Sequence, residues 1–345
     1  MRKSFVLGKL AVVALMSIVF QSCSKNNGVD TLSVIATPYS LYYCDSSGTL
    51  YNTNDGIHTK NIVFPSDGIP SRAVMIAGPN LLWVKSRAYL TTNSGVNFNP
   101  TYTTVNPVAF GQTLLLNAQD ENRIYIASSL GGNTGIVYND NNGAFTDADW
   151  HTDNTIDAAT TGFRVTSYTE LKNNTLIAFD FTSTRLFAKG SKPAPWLEQT
   201  TTVVANRLPA GAAFSMGHFN NTVVAVDLIG VNGAYYSDNN GQDWTKYSGL
   251  PAGPLYVAAS PFDAVLMIGT DLQGIYVLKG GTFVSSNSGL AVGTTVRAIA
   301  AKQNIYINGV AQQYVYIATN HGIYRSQDLG QNWTLMKAGN FYSIY

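Results

Sequence analysis

The chain has 345 residues, of which 45% are apolar and 12% charged, with 21 basic residues against 20 acidic ones. This near-neutral balance, without a basic run or a stripe of basic and aromatic residues, excludes nucleic acid as an expected partner. A count of only two cysteines excludes a disulfide-rich scaffold.

The N-terminal 22 residues are predicted to be a signal peptide. Arg2 and Lys3 form a basic head, an apolar run extends from Phe5 to Phe20, and a small residue precedes Cys23. This order resembles the lipobox of bacterial lipoproteins, in which the cysteine receives diacylglycerol and becomes the mature N-terminus. The resemblance implies an outer-membrane lipoprotein of the cell envelope, lipidated at Cys23. The alternatives are an uncleaved membrane anchor and a simple secretory signal.

The mature chain is then predicted to begin with a tether over residues 23–30. Cleavage before Cys23 removes three basic residues and no acidic one, so the mature protein is slightly acidic. Cys44 is then the only free thiol, which excludes an internal disulfide, a cysteine-based zinc site and a redox pair. Residues 31–345 show no composition change that would mark a linker, and we expect a single domain that remains a monomer.

Strand patterns recur along this domain, and no segment has sustained helical spacing of apolar residues. Seven turn glycines follow one another at intervals of 39 to 51 residues. Periods of this size in strand-rich sequence are typical of propellers. The sequence therefore predicts an all-β fold, a seven-bladed β-propeller of four-stranded antiparallel blades. The apolar runs that repeat are Leu41–Cys44, Leu81–Val84, Ile124–Ala127, Leu176–Phe179, Val223–Val226, Val265–Ile268 and Val315–Ala318.

A further short apolar run precedes each of these seven and is predicted to be the innermost strand of its blade. An eighth such run, Phe341–Ile344, ends the chain, so we expect both chain ends to meet in one blade and close the ring. The predicted innermost strands are Leu32–Ala36, Ala73–Ala77, Leu114–Asn117, Phe163–Thr166, Ala213–Met216, Leu255–Ala259 and Val296–Ala300.

Two turns share the form Ser-x-Asp/Asn-x-Gly-x-x-Trp. They comprise Ser237, Asn239, Gly241 and Trp244 in one copy and Ser326, Asp328, Gly330 and Trp333 in the other. The motif resembles the Asp-box, or BNR, repeat family of sialidases, sortilin-type receptors and photosystem assembly-factor-like propellers. The resemblance implies a turn between the third and outermost strands, in which Ser and Asp bond loop amides, Gly adopts positive φ and Trp fills the sheet. We therefore interpret these residues as structural, and predict no metal and no cofactor.

Ligands of propellers usually bind over the axis, where hairpins between second and third strands meet. Four aspartates in these hairpins could converge as a general acid and base, a cation site or a sugar-binding rim. The simpler interpretation is that each aspartate caps its own hairpin. The candidates are Asp45, Lys85, Arg87, Ser128, Ser129, Asp180, Arg185, Asp227, Asp271, Asn320 and His321.

The catalytic residues of sialidases are not recognisable. The nearest string to their Phe/Tyr-Arg-Ile-Pro motif is Phe163–Thr166, which lacks the proline, and only three glutamates occur, Glu121, Glu170 and Glu198. We expect a non-catalytic, lipid-anchored propeller that binds a glycan, peptide or partner protein through its axial face. The alternatives are a glycoside hydrolase that uses two of the axial aspartates, and an assembly or scaffold factor.

Overall fold

The computed structural model describes residues 40–55, 58–62, 73–77, 80–84, 88–91, 97–102, 115–118, 123–127, 136–140, 150–153, 165–180, 184–190, 194–199, 206–307 and 310–345. The signal segment, the tether, Cys23, Lys85, Arg87, Ser128 and Ser129 lie outside this part of the chain. No helix within these ranges has the length and apolar character needed to cross a bilayer.

The described residues form seven four-stranded sheets, which we number as blades in chain order. Strands are given from the innermost outward. Blade 1 contains β28 (Phe341–Ile344), β1 (Leu41–Asp45), β2 (Leu50–Thr53) and β3 (Thr59–Ile62); blade 2 contains β4 (Ala73–Ala77), β5 (Asn80–Val84), β6 (Ala88–Thr91) and β7 (Asn99–Tyr102); blade 3 contains β8 (Leu115–Ala118), β9 (Arg123–Ile126), β10 (Ile136–Asn139) and β11 (Trp150–Asp153).

The remaining four blades follow the same order. Blade 4 contains β12 (Ser167–Glu170), β13 (Leu176–Asp180), β14 (Arg185–Lys189) and β15 (Leu197–Glu198); blade 5 contains β16 (Phe214–Phe219), β17 (Thr222–Asp227), β18 (Ala234–Ser237) and β19 (Thr245–Lys246); blade 6 contains β20 (Leu255–Ala259), β21 (Met267–Thr270), β22 (Ile275–Lys279) and β23 (Thr282–Ser285); blade 7 contains β24 (Val296–Ile307), β25 (Val310–Thr319), β26 (Gly322–Ser326) and β27 (Thr334–Ala338). A short 3₁₀ helix, Pro261–Asp263, lies between β20 and β21.

The innermost strands contact one another in a closed ring, in the order β4, β8, β12, β16, β20, β24, β28 and back to β4. Within each sheet, neighbouring strands are antiparallel. This arrangement confirms the predicted propeller of four-stranded antiparallel blades.

The C-terminal strand closes the ring. β1 pairs with β2 on one edge and with β28 on the other, and backbone hydrogen bonds of 2.8 and 2.9 Å join Tyr42 and Tyr345. Phe341–Ile344 therefore takes the innermost place of this blade, whereas the other candidate for it, Leu32–Ala36, lies outside the described residues. The inner strand of blade 4 begins at Ser167 rather than at Phe163.

The core lies between adjacent blades. The second strands β13 and β17 are buried along nearly their whole length, because each packs against a neighbouring blade on both faces. Phe179 of blade 4 meets Phe214 of blade 5 edge to face, with ring centroids 6.1 Å apart, and Trp244 joins the same cluster. Apolar packing of this kind fixes the positions of the strand ends around the axis.

Because successive strands of each blade run in opposite directions, their connecting hairpins lie alternately at two opposite ends of the ring. The hairpins between second and third strands lie with the links between blades at one end, which we call the link face; there Asp271 N donates to Pro254 O at 2.9 Å. The hairpins between first and second strands lie at the other end, which we call the cavity face; there Lys172 N donates to Asn220 O at 3.1 Å.

Candidate functional site

The two Ser-Gly-Trp turns, Ser237–Trp244 and Ser326–Trp333, join the third strand to the outermost strand of blades 5 and 7. In blade 7, Ser326 Oγ donates to Asp328 Oδ1 at 2.7 Å and accepts the Gly330 N–H at 2.8 Å. The Asn332 N–H donates to Asp328 Oδ1 at 2.9 Å. Burial raises the pKa of Asp328, but hydrogen bonds from Asn332 and Ser326 outweigh it and lower the pKa below its ordinary value.

The turn in blade 5 repeats this pattern with a neutral residue. Ser237 Oγ accepts the Gly241 N–H at 2.8 Å and donates to Asn239 Oδ1 at 2.8 Å. Gly241 has φ +92°, and a Cβ there would lie 2.5 Å from Leu186 Cδ2 of blade 4. The glycine is therefore required both by the left-handed backbone and by the neighbouring blade.

The two tryptophans are buried and anchor the turns differently. Trp244 Nε1 donates to Gly241 O of its own turn at 3.0 Å, whereas Trp333 Nε1 donates to Ser286 O of blade 6 at 2.9 Å. The indole N–H groups of the motif are thus hydrogen-bonded to backbone carbonyls of the protein itself. The turns therefore hold strands and blades together.

Two of the candidate aspartates cap their own hairpins. Asp45 Oδ1 accepts the Ser47 and Thr49 N–H groups at 2.9 and 2.8 Å. Asp227, at 0% exposure, accepts the backbone N–H groups of residues 229, 231 and 232 at 2.6 to 2.9 Å. Their carboxylates replace water as acceptors for turn amides, which is the simpler of the two interpretations of the sequence.

The other two candidate aspartates also lie against neighbouring residues of the fold. Asp180 ends β13 opposite Arg185 and is 0% exposed. Asp271 Oδ1 accepts the hydroxyl of Thr295, in the link to blade 7, at 2.9 Å. The four aspartates belong to four different blades, and burial closes Asp180 and Asp227 to any substrate.

The basic and neutral candidates on the link face are likewise hydrogen-bonded to other residues of the protein. Arg185 Nε donates to Glu198 Oε1 at 3.0 Å, and this hydrogen bond raises the pKa of Arg185. Asn320 Oδ1 accepts the Thr295 N–H at 2.8 Å, and the exposed His321 donates its backbone N–H to Thr319 Oγ1 at 3.1 Å. None of these residues lines the axial cavity of the molecule.

That cavity opens on the cavity face and has a volume of about 700 Å³. Inner strands β8, β12, β16, β20 and β24 supply its walls, together with Tyr345. Its apolar wall includes Leu116, Met216, Ala259, Ile299 and Ala300. The ligand site predicted from the sequence lies at the opposite end of the axis, and none of its four aspartates lines this cavity.

Polar groups from three blades lie on the cavity lining. Lys172 Nζ of blade 4 is 3.2 Å from Asp263 Oδ2 of blade 6. His218 Nδ1 of blade 5 is 3.2 Å from Thr169 Oγ1 of blade 4. Burial lowers the pKa of His218, against the opposing effect of the Asp263 charge, so the imidazole is neutral at neutral pH.

Two further polar residues belong to the described part of the lining. Glu170 ends β12 beside the cavity, and Ser260 follows β20. The Ser260 hydroxyl oxygen is buried and has no hydrogen-bond partner among the described residues. A buried hydroxyl left in this state costs free energy unless a further group bonds it.

Sequence reasoning missed this set of residues. Glu170 and His218 each lie near the end of an inner strand, and Ser260 directly follows one. A signal was present in the sequence, because the apolar runs of the inner strands stop at polar residues such as Glu170 and Ser260. Across the described ranges, no three His, Cys, Asp or Glu residues are grouped as metal ligands.

No protein-family model and no curated protein matches the sequence. Solved β-propeller structures do resemble the fold. A catalytically inactive virginiamycin B lyase from Staphylococcus aureus has 14% identity and a TM-score of 0.51, over 84% of this chain and 94% of that one. YCF48 from Cyanidioschyzon merolae has 12% identity and a TM-score of 0.53, over 81% and 89%.

The extracellular domain of a putative hybrid two-component system from B. thetaiotaomicron is a further neighbour, with 11% identity and a TM-score of 0.53 over 89% of this chain and 47% of that one. A structure of YCF48 bound to a D1 peptide has 11% identity and a TM-score of 0.53, over 86% and 94%. At these identities the likeness establishes the fold alone, which a lyase and a peptide-bound protein share.

Proposed function

We propose that this protein is a non-catalytic binding propeller that takes a glycan, a peptide or a segment of a partner protein at its axial cavity. The observation that carries the proposal is the cavity itself, at about 700 Å³ with an apolar wall and a few polar groups. This size and composition are typical of ligand-binding pockets in proteins.

The state of the aspartates supports binding rather than hydrolysis. A glycoside hydrolase needs two carboxyl groups facing one substrate across a pocket. Asp180 and Asp227 are fully buried, and Asp45 and Asp227 accept amides of their own hairpins. None of the four lies on the cavity lining.

We further propose that Cys23 carries the lipid that tethers the protein to the outer membrane of the cell envelope, and that the chain is a divergent member of the Asp-box family. The Ser-Gly-Trp turns and the lipobox-like sequence support these two points respectively. Fractionation checks the anchor: Cys23→Ala should move the protein from the membrane to the soluble fraction. Retention of the variant in the membrane would contradict lipidation at Cys23.

A cavity-filling variant tests the binding function. The soluble protein, beginning at residue 24, is screened on glycan and peptide arrays and against chromogenic glycosides. We expect ligands on an array that Ala259→Phe loses, because Ala259 lines the cavity, while the exposed control Ala338→Phe keeps them. Glycoside turnover that disappears in Asp45→Asn or Asp271→Asn would instead establish an enzyme.

The link face supports a second candidate, an assembly or scaffold role. Four aliphatic side chains there are 57 to 99% exposed, on adjacent hairpins and links: Ile229, Val231, Leu272 and Val292. Exposed apolar groups gathered on one face are typical of protein interaction sites. Ile229→Ser with Leu272→Ser should weaken cross-linking to a partner protein in intact cells, whereas Val284→Ser, on the outer strand of blade 6, should not.

A further inference from the structure

We propose that the ion pair between Lys172 and Asp263 is a gate at the mouth of the axial cavity, which holds bulky ligands out until the pair separates. This inference rests on the proposed binding function and adds the control of access to the same cavity. Both residues belong to the described part of the lining, and neither was among the candidates predicted from the sequence.

The gate joins two blades that are not neighbours in the ring. Lys172 lies in the hairpin between β12 and β13 of blade 4, and Asp263 ends the 3₁₀ helix between β20 and β21 of blade 6. The Lys172 Nζ and Asp263 Oδ2 atoms are 3.2 Å apart, so the pair spans the end of blade 5. The backbone below it is anchored there, because Lys172 N donates to Asn220 O of blade 5 at 3.1 Å. A ligand that enters the cavity over blade 5 therefore has to separate the two charged side chains.

The ion pair is exposed enough to separate readily. The Lys172 side chain is 56% exposed and the Asp263 side chain 34%. Ion pairs in contact with water contribute little free energy, because the solvent weakens the attraction and both side chains lose conformational freedom. Dissolved salt screens the attraction further. We therefore expect the gate to open and close in the native protein, and to be open more often at high ionic strength.

The backbone that carries Asp263 is strained while the gate is closed. Phe262 has φ 56° and ψ 22°, and Asp263 has φ 53°, which is a left-handed conformation that residues other than glycine rarely adopt. A backbone hydrogen bond of 3.1 Å from Asp263 N to Ser260 O closes this turn. Such strain persists only where surrounding contacts enforce it. The contact with Lys172 is one of these, so its loss favours a relaxed turn and a wider mouth.

A cysteine placed on the cavity wall reports whether the gate is open. Ala300→Cys adds a single sulfur atom to the lining of blade 7, and Ala259→Cys is a second reporter on β20. In the soluble protein, beginning at residue 24, the native Cys44 is 0% exposed and does not compete for reagent. Two uncharged thiol reagents differ in size, the small N-ethylmaleimide and the bulky biotin-PEG2-maleimide. Mass spectrometry of timed samples gives the labelling rate of each.

We expect the bulky reagent to label the reporter about threefold faster in about 1 M sodium chloride than in about 0.01 M, because salt screens an exposed ion pair. Lys172→Met and Asp263→Asn should each give the fast rate already at low salt. The combined variant should be no faster than either one, because both remove the same contact. Lys279→Met, at an exposed lysine outside the described lining, is the matched control and should leave the rate unchanged. The small reagent should label all of these proteins at one rate.

The outcomes distinguish this inference from the proposed function. A labelling rate that responds neither to salt nor to the two substitutions would overturn the gate. Equal acceleration in Lys279→Met, or of the small reagent, would overturn it as well, because the change would then not concern access through this contact. Array ligands that Ala259→Phe loses would keep the binding function even without a gate. Labelling that shows the gate, in a protein for which the arrays yield no ligand, would contradict the binding function alone.

Discussion

Ser326 shows how one side chain can determine a turn. Its hydroxyl donates to Asp328 and accepts the N–H of Gly330, a group that is itself buried. The residue spacing brings all three groups into one loop, so the bonds form without help from distant elements. Local chemistry of this kind is visible in the sequence, because it depends on neighbours along the chain.

Ser326→Ala should lower the free energy of unfolding by about 1 to 3 kcal/mol, because it leaves the buried Gly330 N–H without an acceptor. Urea denaturation followed by tryptophan fluorescence measures the change. Ser248→Ala, at an exposed serine, is the matched control and should shift the value by less than about 0.5 kcal/mol. Equal effects at the two sites would show that the turn does not depend on the Ser326 hydroxyl.

His218 makes stability depend on pH in a defined direction. Burial lowers the pKa of His218 in the folded protein, against the opposing effect of the Asp263 charge. In the unfolded chain the same histidine has a pKa of about 6.5. As pH falls below that value the unfolded state binds the proton first, so the free energy of unfolding should decrease. His218→Gln should flatten this decrease between pH 6.5 and 5, as measured by urea denaturation across the range. Above pH 7.5 the two proteins should differ by a constant amount, and a wild-type slope in the variant would refute the assignment.

At the scale of the element, β28 is the strand on which ring closure depends. It occupies the innermost position of blade 1 although it lies at the opposite end of the chain from β1. Phe341 is 1% exposed and packs edge to face on Tyr43, with ring centroids 5.4 Å apart. Without this strand, one edge of β1 and the wall against blade 7 would be exposed to water.

Phe341→Ala should therefore lower the free energy of unfolding by about 3 to 5 kcal/mol, as expected for a large aromatic truncation in a core. Thermal and urea unfolding monitored by circular dichroism measure the loss. The matched control is Val284→Ala on an outer strand, where the side chain is 39% exposed and the loss should stay below about 1 kcal/mol. A loss as small at Phe341 as at Val284 would mean that the C-terminal strand does not hold the ring closed.

At the scale of the whole molecule, stability comes from a closed cycle of similar interfaces. Each inner strand contacts the inner strands of the blades on both sides, and Trp333 bonds blade 7 to blade 6 through Ser286 O. We therefore expect the stability to depend more on the presence of every blade interface than on the position of the chain ends. The cavity belongs to this scale, because five inner strands from five blades form its wall.

A circular permutant tests this view. Joining residue 345 to residue 40 with a two-residue Asn-Gly turn makes β28 and β1 an ordinary hairpin, and new ends are placed between Gly280 and Gly281 in the turn before β23. We expect a folded protein whose free energy of unfolding differs from that of the soluble wild type by no more than about 2 kcal/mol, because loop entropies change little with length. Calorimetric unfolding in one transition would support the closed cycle. Loss of the cooperative transition would show that closure requires the original chain ends.

The repeat number, the strand-rich class and the chemistry of the Ser-Gly-Trp turns followed from the sequence, because they depend on periodicity and on groups a few residues apart. The same holds for the capping roles of Asp45 and Asp227, whose acceptors bond amides two to five residues away. Only the tertiary structure decided that the C-terminal strand Phe341–Ile344 closes the ring, and that the axial cavity opens among Glu170, His218 and Asp263. These residues are remote in sequence and meet only because packing between blades brings strand ends together around an axis. Side-chain hydrogen bonds within a turn are encoded locally, whereas the shape at the centre of a ring is a sum over all of its interfaces.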